Sequence, residues 1–288
     1  MRIAVALVLA LTLGASVGSA SERRPRNGRI AFWSDLGPAA IFVINPDGTG
    51  RRRLTDATSR SKGAAWSPDG KRIALYGSDD RGGDANFDIY VMNEDGTDRH
   101  RLTASAAREV QPAWSPDGRL IAYGRGDDIW VMNADGSGQH LLIRNAAEPA
   151  WSRNGGKIAF GSFRNGVVQI YVAQSSGKNA VRLTRGGRDN ESPHWSPDGR
   201  RIVFTSFRNG APDVYLMNAN GSGQRRLTHS RARDDTPSWS PDGRKIVFTS
   251  FRDGNGEVYV MNGDGSKQHR LTRTRVDEDA DGWQPVPR

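Results

Sequence analysis

Residues Ser192–Thr228 read SPHWSPDGRRIVFTSFRNGAPDVYLMNANGSGQRRLT. The stretch holds four short runs suited to β-strands, separated by turn chemistry. The first, Pro193–Ser196, is followed by Pro197-Asp198-Gly199. Proline presets φ for a turn, aspartate can bond its own backbone, and glycine takes the left-handed conformation that closes a hairpin. Arg201–Ser206 (RIVFTS) is rich in β-branched and aromatic residues, which suit a half-buried pleated surface. After the loop Phe207–Gly210 comes Asp213–Asn218 (DVYLMN), then the turn Ala219-Asn220-Gly221, then Gln224–Thr228 (QRRLT). Antiparallel runs joined by loops this short predict one four-stranded sheet.

The unit repeats. Trp66, Trp114, Trp151, Trp195, Trp239 and Trp283 mark six copies of the first run, the last four at intervals of 44 residues. The third run returns as Ile41–Asn45, Ile89–Asn93, Ile129–Asn133, Ile170–Gln174 and Val258–Asn262. A period in the forties with a strand–turn pattern predicts an all-β fold, a six-bladed β-propeller. The N-terminal copy, from Arg29 to Thr55, has no tryptophan strand, while the C-terminus has one to spare at Gly282-Trp283-Gln284. The C-terminal strand is therefore expected to become the innermost strand of the N-terminal blade and close the ring. The six tryptophans are expected to pack between blades, because each repeat can bury its faces only against its neighbours. Trp130 is expected in the core as well.

Composition narrows the setting. Met1–Ala20 carries one early cation (Arg2), an apolar run from Ile3 to Leu13 and the small residues Gly18, Ser19 and Ala20. This pattern predicts a secretory signal peptide over residues 1–20, a short segment over 21–28 and the propeller over 29–288. The apolar run is shorter than the ~20 residues that span a bilayer, and no other segment is apolar enough to cross one. The chain has no cysteine, which excludes disulfides, thiolate catalysis and cysteine metal sites. Lys and Arg number 41 against 32 Asp and Glu, a net charge of +9. Many of these arginines (Arg51–Arg53, Arg99, Arg101, Arg182, Arg225, Arg226, Arg270) precede Leu-Thr pairs on the last strand of a repeat. There, on the outer edge of a blade, charge either blocks edge-to-edge pairing or forms an anion-binding rim. That distribution, together with export, argues against a nucleic-acid partner.

Taken together, PxWSPDGxxIxFxS, the S-x-R-x-G loops (Ser162–Gly166, Ser206–Gly210, Ser250–Gly254), IYVMNxDG and RRLT resemble the propeller repeat of the TolB family, also called PD40 or WD40-like. The resemblance implies a six-bladed propeller and an exported binding module with protein or peptide partners in the cell envelope. In the Tol-Pal envelope system the TolB propeller follows an N-terminal α/β domain. Here residues 21–28 alone separate the expected cleavage site from the first strand, so the resemblance implies the propeller without that domain's role.

Residues able to do chemistry are few. A literal G-x-S-x-G, Gly14–Gly18, falls in the expected signal peptide, where no nucleophile elbow can form. His100, His140 and His269 lie on outer strands of separate blades and cannot converge. His194 and His229 are the two that could approach the axis. The richest feature is a set of carboxylates at the start of the innermost strands: Glu109, Glu148, Asp189, Glu191, Asp234, Asp235, Asp277, Glu278, Asp279 and Asp281. They read either as solvated turn and cap residues or as a cluster at one mouth of the central channel. Crowded carboxylates raise one another's pKa or attract a cation or a basic partner. Asp277–Gly282 (DEDADG) matches the first half of an EF-hand calcium loop, which makes Asp277, Asp279 and Asp281 candidate Ca2+ ligands. The twelfth position of such a loop, a bidentate Glu, is Arg288. No other cofactor is implied. The expected function is that of a monomeric, secreted or periplasmic, non-catalytic protein-interaction module. The alternatives are a channel enzyme of lyase or hydrolase type and a cation-dependent small-ligand binder.

Overall fold

The structure is a computed structural model that describes residues 26–56, 58–79, 86–164 and 166–287. The expected signal peptide lies outside the described residues. Twenty-four strands form six four-stranded antiparallel sheets, with no helix among the described residues. Blade 1 begins with β1 (Arg26–Ser34), β2 (Ala40–Ile44) and β3 (Arg52–Arg53). Blade 2 comprises β4 (Arg60–Trp66), β5 (Arg72–Ser78), β6 (Asp88–Asn93) and β7 (His100–Arg101). Blade 3 follows with β8 (Glu109–Trp114), β9 (Leu120–Arg125), β10 (Asp128–Asn133) and β11 (His140–Ile143). In blade 4 these are β12 (Ala146–Trp151), β13 (Lys157–Ser162), β14 (Gln169–Gln174) and β15 (Val181–Arg182). Blade 5 has β16 (Asn190–Trp195), β17 (Arg201–Ser206), β18 (Asp213–Asn218) and β19 (Arg225–Arg226). Blade 6 has β20 (Asp234–Trp239), β21 (Lys245–Ser250), β22 (Glu257–Asn262) and β23 (His269–Arg270). The last strand, β24 (Glu278–Val286), pairs antiparallel with β1 and completes blade 1 in the order β24-β1-β2-β3. The clasp is longer than the sequence suggested, running from Ser34↔Glu278 to Arg26↔Val286.

The six first strands pack in sequence, β4 on β8, β12, β16, β20, β24 and back to β4, so they surround the axis. Each tryptophan bridges a seam. Trp195 joins Ile202 and Phe204 of its own blade to Ala159, Ile170 and Val172 of blade 4. Trp239 packs against Val203, Val214 and Leu216 of blade 5 in the same way. Trp283 packs beside Ile30 and Phe32 of blade 1 and Val247, Val258 and Val260 of blade 6. Trp130 is only partly buried, with the Arg125 guanidinium 4.2 Å from its ring centroid.

The fourth strands are shorter than the QRRLT pattern implied, because Leu and Thr leave the ladder and bond differently. Leu227 donates its N–H to Val214 O (2.8 Å), and Thr228 Oγ1 accepts from Val214 N–H (3.0 Å). The same exchange occurs at Thr55, Thr103, Thr184 and Thr272. The outer arginines are also more than edge guards. Arg101, Arg226 and Arg270 bond the buried carboxylates Asp88, Asp213 and Glu257 that open the third strands, at 2.7, 2.8 and 2.5 Å. A buried carboxylate needs such a partner, so these arginines satisfy the blade interior as well as its edge.

Candidate functional site: a carboxylate channel

Every inner strand carries a bulge three residues or fewer before its tryptophan, and the bulge decides what faces the axis. In blades 2 to 6 the residue three before the tryptophan has a left-handed backbone: Gly63, Gln111, Glu148, Ser192 and Thr236, with φ between 48° and 60°. Such a bulge re-aims side chains on either side of it. It divides the carboxylates predicted from sequence into two populations.

One population turns into the seams. Glu109, Asp234 and Glu278, five residues before their tryptophans, are fully buried and bonded to Arg125, Arg252 and Arg51 at 2.5, 3.1 and 2.5 Å. Each guanidinium also covers a ring, Arg252 lying 4.7 Å from the Tyr259 centroid and Arg51 lying 4.4 Å from that of Phe42. Asp189 and Asp277 are loop caps, accepting the backbone N–H of Val168 and Gly256 of the preceding blade at 2.8 Å. Apart from Asp189, whose charge reaches Glu191, these residues do not belong to a shared mouth.

The other population converges on the axis: Glu148, Glu191, Asp235, Asp279 and Asp281. Glu148 accepts from Ser192 N–H (2.6 Å), Ser192 Oγ (3.1 Å) and Gln111 Nε2 (3.4 Å). Asp279 Oδ1 accepts from Thr236 and Thr249 hydroxyls at 2.7 and 2.6 Å. Asp235 is 1% exposed, and its Oδ2 accepts from Arg233 Nε while its Oδ1 has no partner. Asp281 Oδ2 is likewise buried and unpartnered. Burial and the neighbouring Glu148 and Asp235 push the Glu191 carboxyl up to about 7. Burial and Asp279 push Asp235 up to about 7 as well. Burial raises Glu148 and Asp279, and burial with Asp279 alongside holds Asp281 well above the usual carboxylate range. Two cations face the set: Arg233, and Lys62, whose charge lowers Asp279. Five carboxylates against two cations leave the channel with an excess of acid.

The tryptophan end of the channel opens into a cavity of about 440 Å³, lined by all six seam tryptophans, the prolines of the WSP turns, and Glu148, His194 and Asp281. His194 Nδ1 accepts Trp239 N–H at 3.2 Å, so the neutral ring carries its proton on Nε2. Burial pulls its pKa down to about 4. His229, the other histidine expected near the axis, is exposed. A second cavity, about 540 Å³, lies between the turns of blades 3 and 4 around Ser115–Asp117 and Arg153–Gly155, away from the carboxylates.

The calcium-loop reading meets a different local structure. Glu278–Val286 is a strand, which sends Asp279 and Asp281 to the axis while Asp277 caps a loop outside it. No group of three or more His, Cys, Asp or Glu among the described residues is arranged to hold a metal ion. Sequence reasoning missed Arg233, Lys62 and the hydroxyls of Ser192, Thr236 and Thr249. Aligning the inner strands on their tryptophans would have placed Lys62 in register with Glu191, Asp235 and Asp279. Nothing local marks Thr249, which comes from a second strand.

The profile of the TolB beta propeller domain (PD40) matches residues 16–128 and 127–285. The chain belongs to the TolB β-propeller family. Among solved structures, TolB from Acinetobacter baumannii superposes with a TM-score of 0.79 at 23% identity, over 91% of this chain and 68% of that one. A TolB candidate from Agrobacterium tumefaciens gives 0.73 at 24% identity, over 90% of this chain and 100% of the other. An oligogalacturonate lyase solved with manganese gives 0.55 at 13% identity, covering 86% and 74%. These likenesses establish a fold that TolB-type proteins share with at least one enzyme. No curated protein sequence matches the chain.

Proposed function

We propose that this TolB-family propeller is an exported, periplasmic or cell-envelope binding module that acts as a monomer, without catalysis, and holds a basic segment of a protein partner in its channel. The observation that carries this reading is the charge imbalance on the axis: Glu148, Glu191, Asp235, Asp279 and Asp281 against Arg233 and Lys62, with Asp235 Oδ1 and Asp281 Oδ2 buried and unpartnered. A basic side chain entering the channel would relieve that imbalance and replace protons with a counter-charge. The family membership supports a protein partner rather than a small substrate.

The test uses a labelled basic hexapeptide and its acidic counterpart. The basic peptide is expected to bind the purified chain, to weaken as salt rises, and to lose at least tenfold affinity in the triple variant Glu148→Gln, Asp279→Asn, Asp281→Asn. Equal binding by the triple variant would remove the channel from the function. Export is checked by the intact mass of periplasmic protein, expected to correspond to cleavage after Ala20. A cytoplasmic product retaining Met1 would overturn it.

A further inference from the structure

Blade 6 contains a cation seat that is already filled. Arg233 Nε bonds Asp235 Oδ2, and the same guanidinium lies 5.4 Å from the ring centroid of Phe251. The parts are locked in register. Phe251 N–H donates to Arg233 O (2.9 Å), and Asp235 pairs with Thr249, two residues before the ring. A planar guanidinium held between an aromatic face and a carboxylate meets the two chemistries that recognise arginine best.

Blade 5 repeats this frame without its cation. Phe207 N–H donates to Asp189 O (3.0 Å), and Glu191 pairs with Thr205, again two residues before the ring. Phe207 thus stands where Phe251 stands, Glu191 where Asp235 stands, and Asp189 where Arg233 would be. One Asp189 oxygen is engaged by Val168 N–H, leaving the other for a ligand. Among the described residues no arginine or lysine stacks on Phe207 or bonds Glu191. Arg188, the nearest cation in sequence, forms no ion pair with Glu191. The remaining blades lack one part or another. Blade 4 has the ring, Phe163, with Ala147 in the carboxylate position, and blade 1 has Asp279 with Asp35 in place of the ring. Glu191 has no bonded counter-ion: the Arg233 charge reaches it only through space, burial with Glu148 and Asp235 nearby pushes it up to about 7, and the unpartnered Asp235 Oδ1 lies in the same cluster of carboxylates.

We infer that Phe207, Glu191 and Asp189 form a vacant seat for one arginine side chain of a bound protein, laid out on the pattern that Arg233 fills in the next blade. This rests on the proposed binding of a basic segment and names the residue type and place where that segment is read. The ring prefers the flat guanidinium to a lysine ammonium, and the two acids orient it.

The probe is acetyl-Gly-Arg-Gly-amide, with the neutral citrulline peptide as its shape control, titrated into the purified chain while Phe207 ring resonances are followed by NMR. The arginine peptide is expected to shift the Phe207 resonances and to bind at least tenfold more tightly than the citrulline peptide. Glu191→Gln is expected to weaken it tenfold or more, and Asp189→Arg to abolish it by filling the seat from within. Asp189→Asn keeps an acceptor for Val168 N–H while removing one acid of the seat and is expected to weaken the peptide several-fold, with the circular dichroism spectrum and melting transition of each variant as the folding control. Undiminished binding in both Glu191→Gln and Asp189→Arg would overturn the inference. So would shifts confined to the neighbourhood of Glu148 and Asp281, which would leave the broader channel reading standing. No binding of the peptide anywhere would overturn both.

Discussion

Asp234 and Asp235 are neighbours on β20 and almost equally buried, at 0% and 1% exposure. Asp234 points into the seam, where Arg252 Nη2, Ser250 Oγ and Ser230 Oγ all bond it at 2.5 to 3.2 Å. Asp235 points to the axis, where one oxygen meets Arg233, the other meets nothing, and Asp279 and Glu191 stand close by. Burial is therefore common to both, and the number and sign of the partners separate them. A carboxylate supplied with donors holds the blade together. One supplied with other carboxylates holds a proton, or waits for a cation. The division by position runs around the ring, with Glu109 and Glu278 bonded to arginines in the seams, each through one oxygen while the other is buried and unpartnered, and Glu191, Asp279 and Asp281 on the axial side.

The severest perturbation removes both kinds of carboxylate at once. Truncation after Asp277 deletes β24, with Glu278 from a seam and Asp279 and Asp281 from the axis, and opens the clasp to β1. Loss of the single cooperative melting transition is expected, and a truncated chain that melts like the intact one would refute closure by β24. Next comes Asp234→Ala, which strands Arg252 in a seam. The expected loss is about 3 kcal/mol, or roughly 6–12 °C in Tm. Asp235→Asn, one residue away, is expected to change stability by no more than about 1 kcal/mol, because the half-exposed Arg233 can turn to water. Equal penalties at the two positions would erase the distinction between seam and axis.

The smallest effect is a pH signature. Glu191 titrates at about 7 in the folded chain against an ordinary value of 4.5, so between those limits the folded state binds a proton that the unfolded state has released. Stability from this group is present below pH 4.5, declines as pH rises to 7, and stays lower above it. Glu191→Gln should therefore be the more stable protein at pH 8 by on the order of 1 kcal/mol, discounted for partial solvent access, with the advantage gone by pH 4.5. His194, held down to about 4, works in the opposite direction as pH falls below 6.5. The difference between variant and parent across pH isolates Glu191, and a flat difference would show that the axial carboxylate is not strained.

The second and third strands of blade 5 were legible to the residue, Arg201–Ser206 and Asp213–Asn218 appearing as β17 and β18. Their alternation of Ile, Val, Phe and Tyr is a local signal of a sheet buried on both faces. The first strand was not legible in full. It begins at Asn190, and Asn-Glu-Ser does not read as a strand, because a bulge at Ser192 and the walls of a channel permit polar residues there. The fourth was overestimated for the opposite reason, since Thr228 continues the pairing with its side chain after the backbone has turned away.

From sequence alone came the repeat, the blade count, the clasp and the tryptophan seams, because each follows from turn residues and apolar periodicity that act within one unit of about 44 residues. Tertiary packing settled which of ten similar-looking carboxylates bond arginine or cap a loop and which crowd one another on the axis. That choice depends on a one-residue bulge in each inner strand and on partners brought from neighbouring blades, such as Thr249 for Asp279 and Ser192 for Glu148. Spacing along the chain carries no record of either, since the distances that set a carboxylate's charge are measured across the ring.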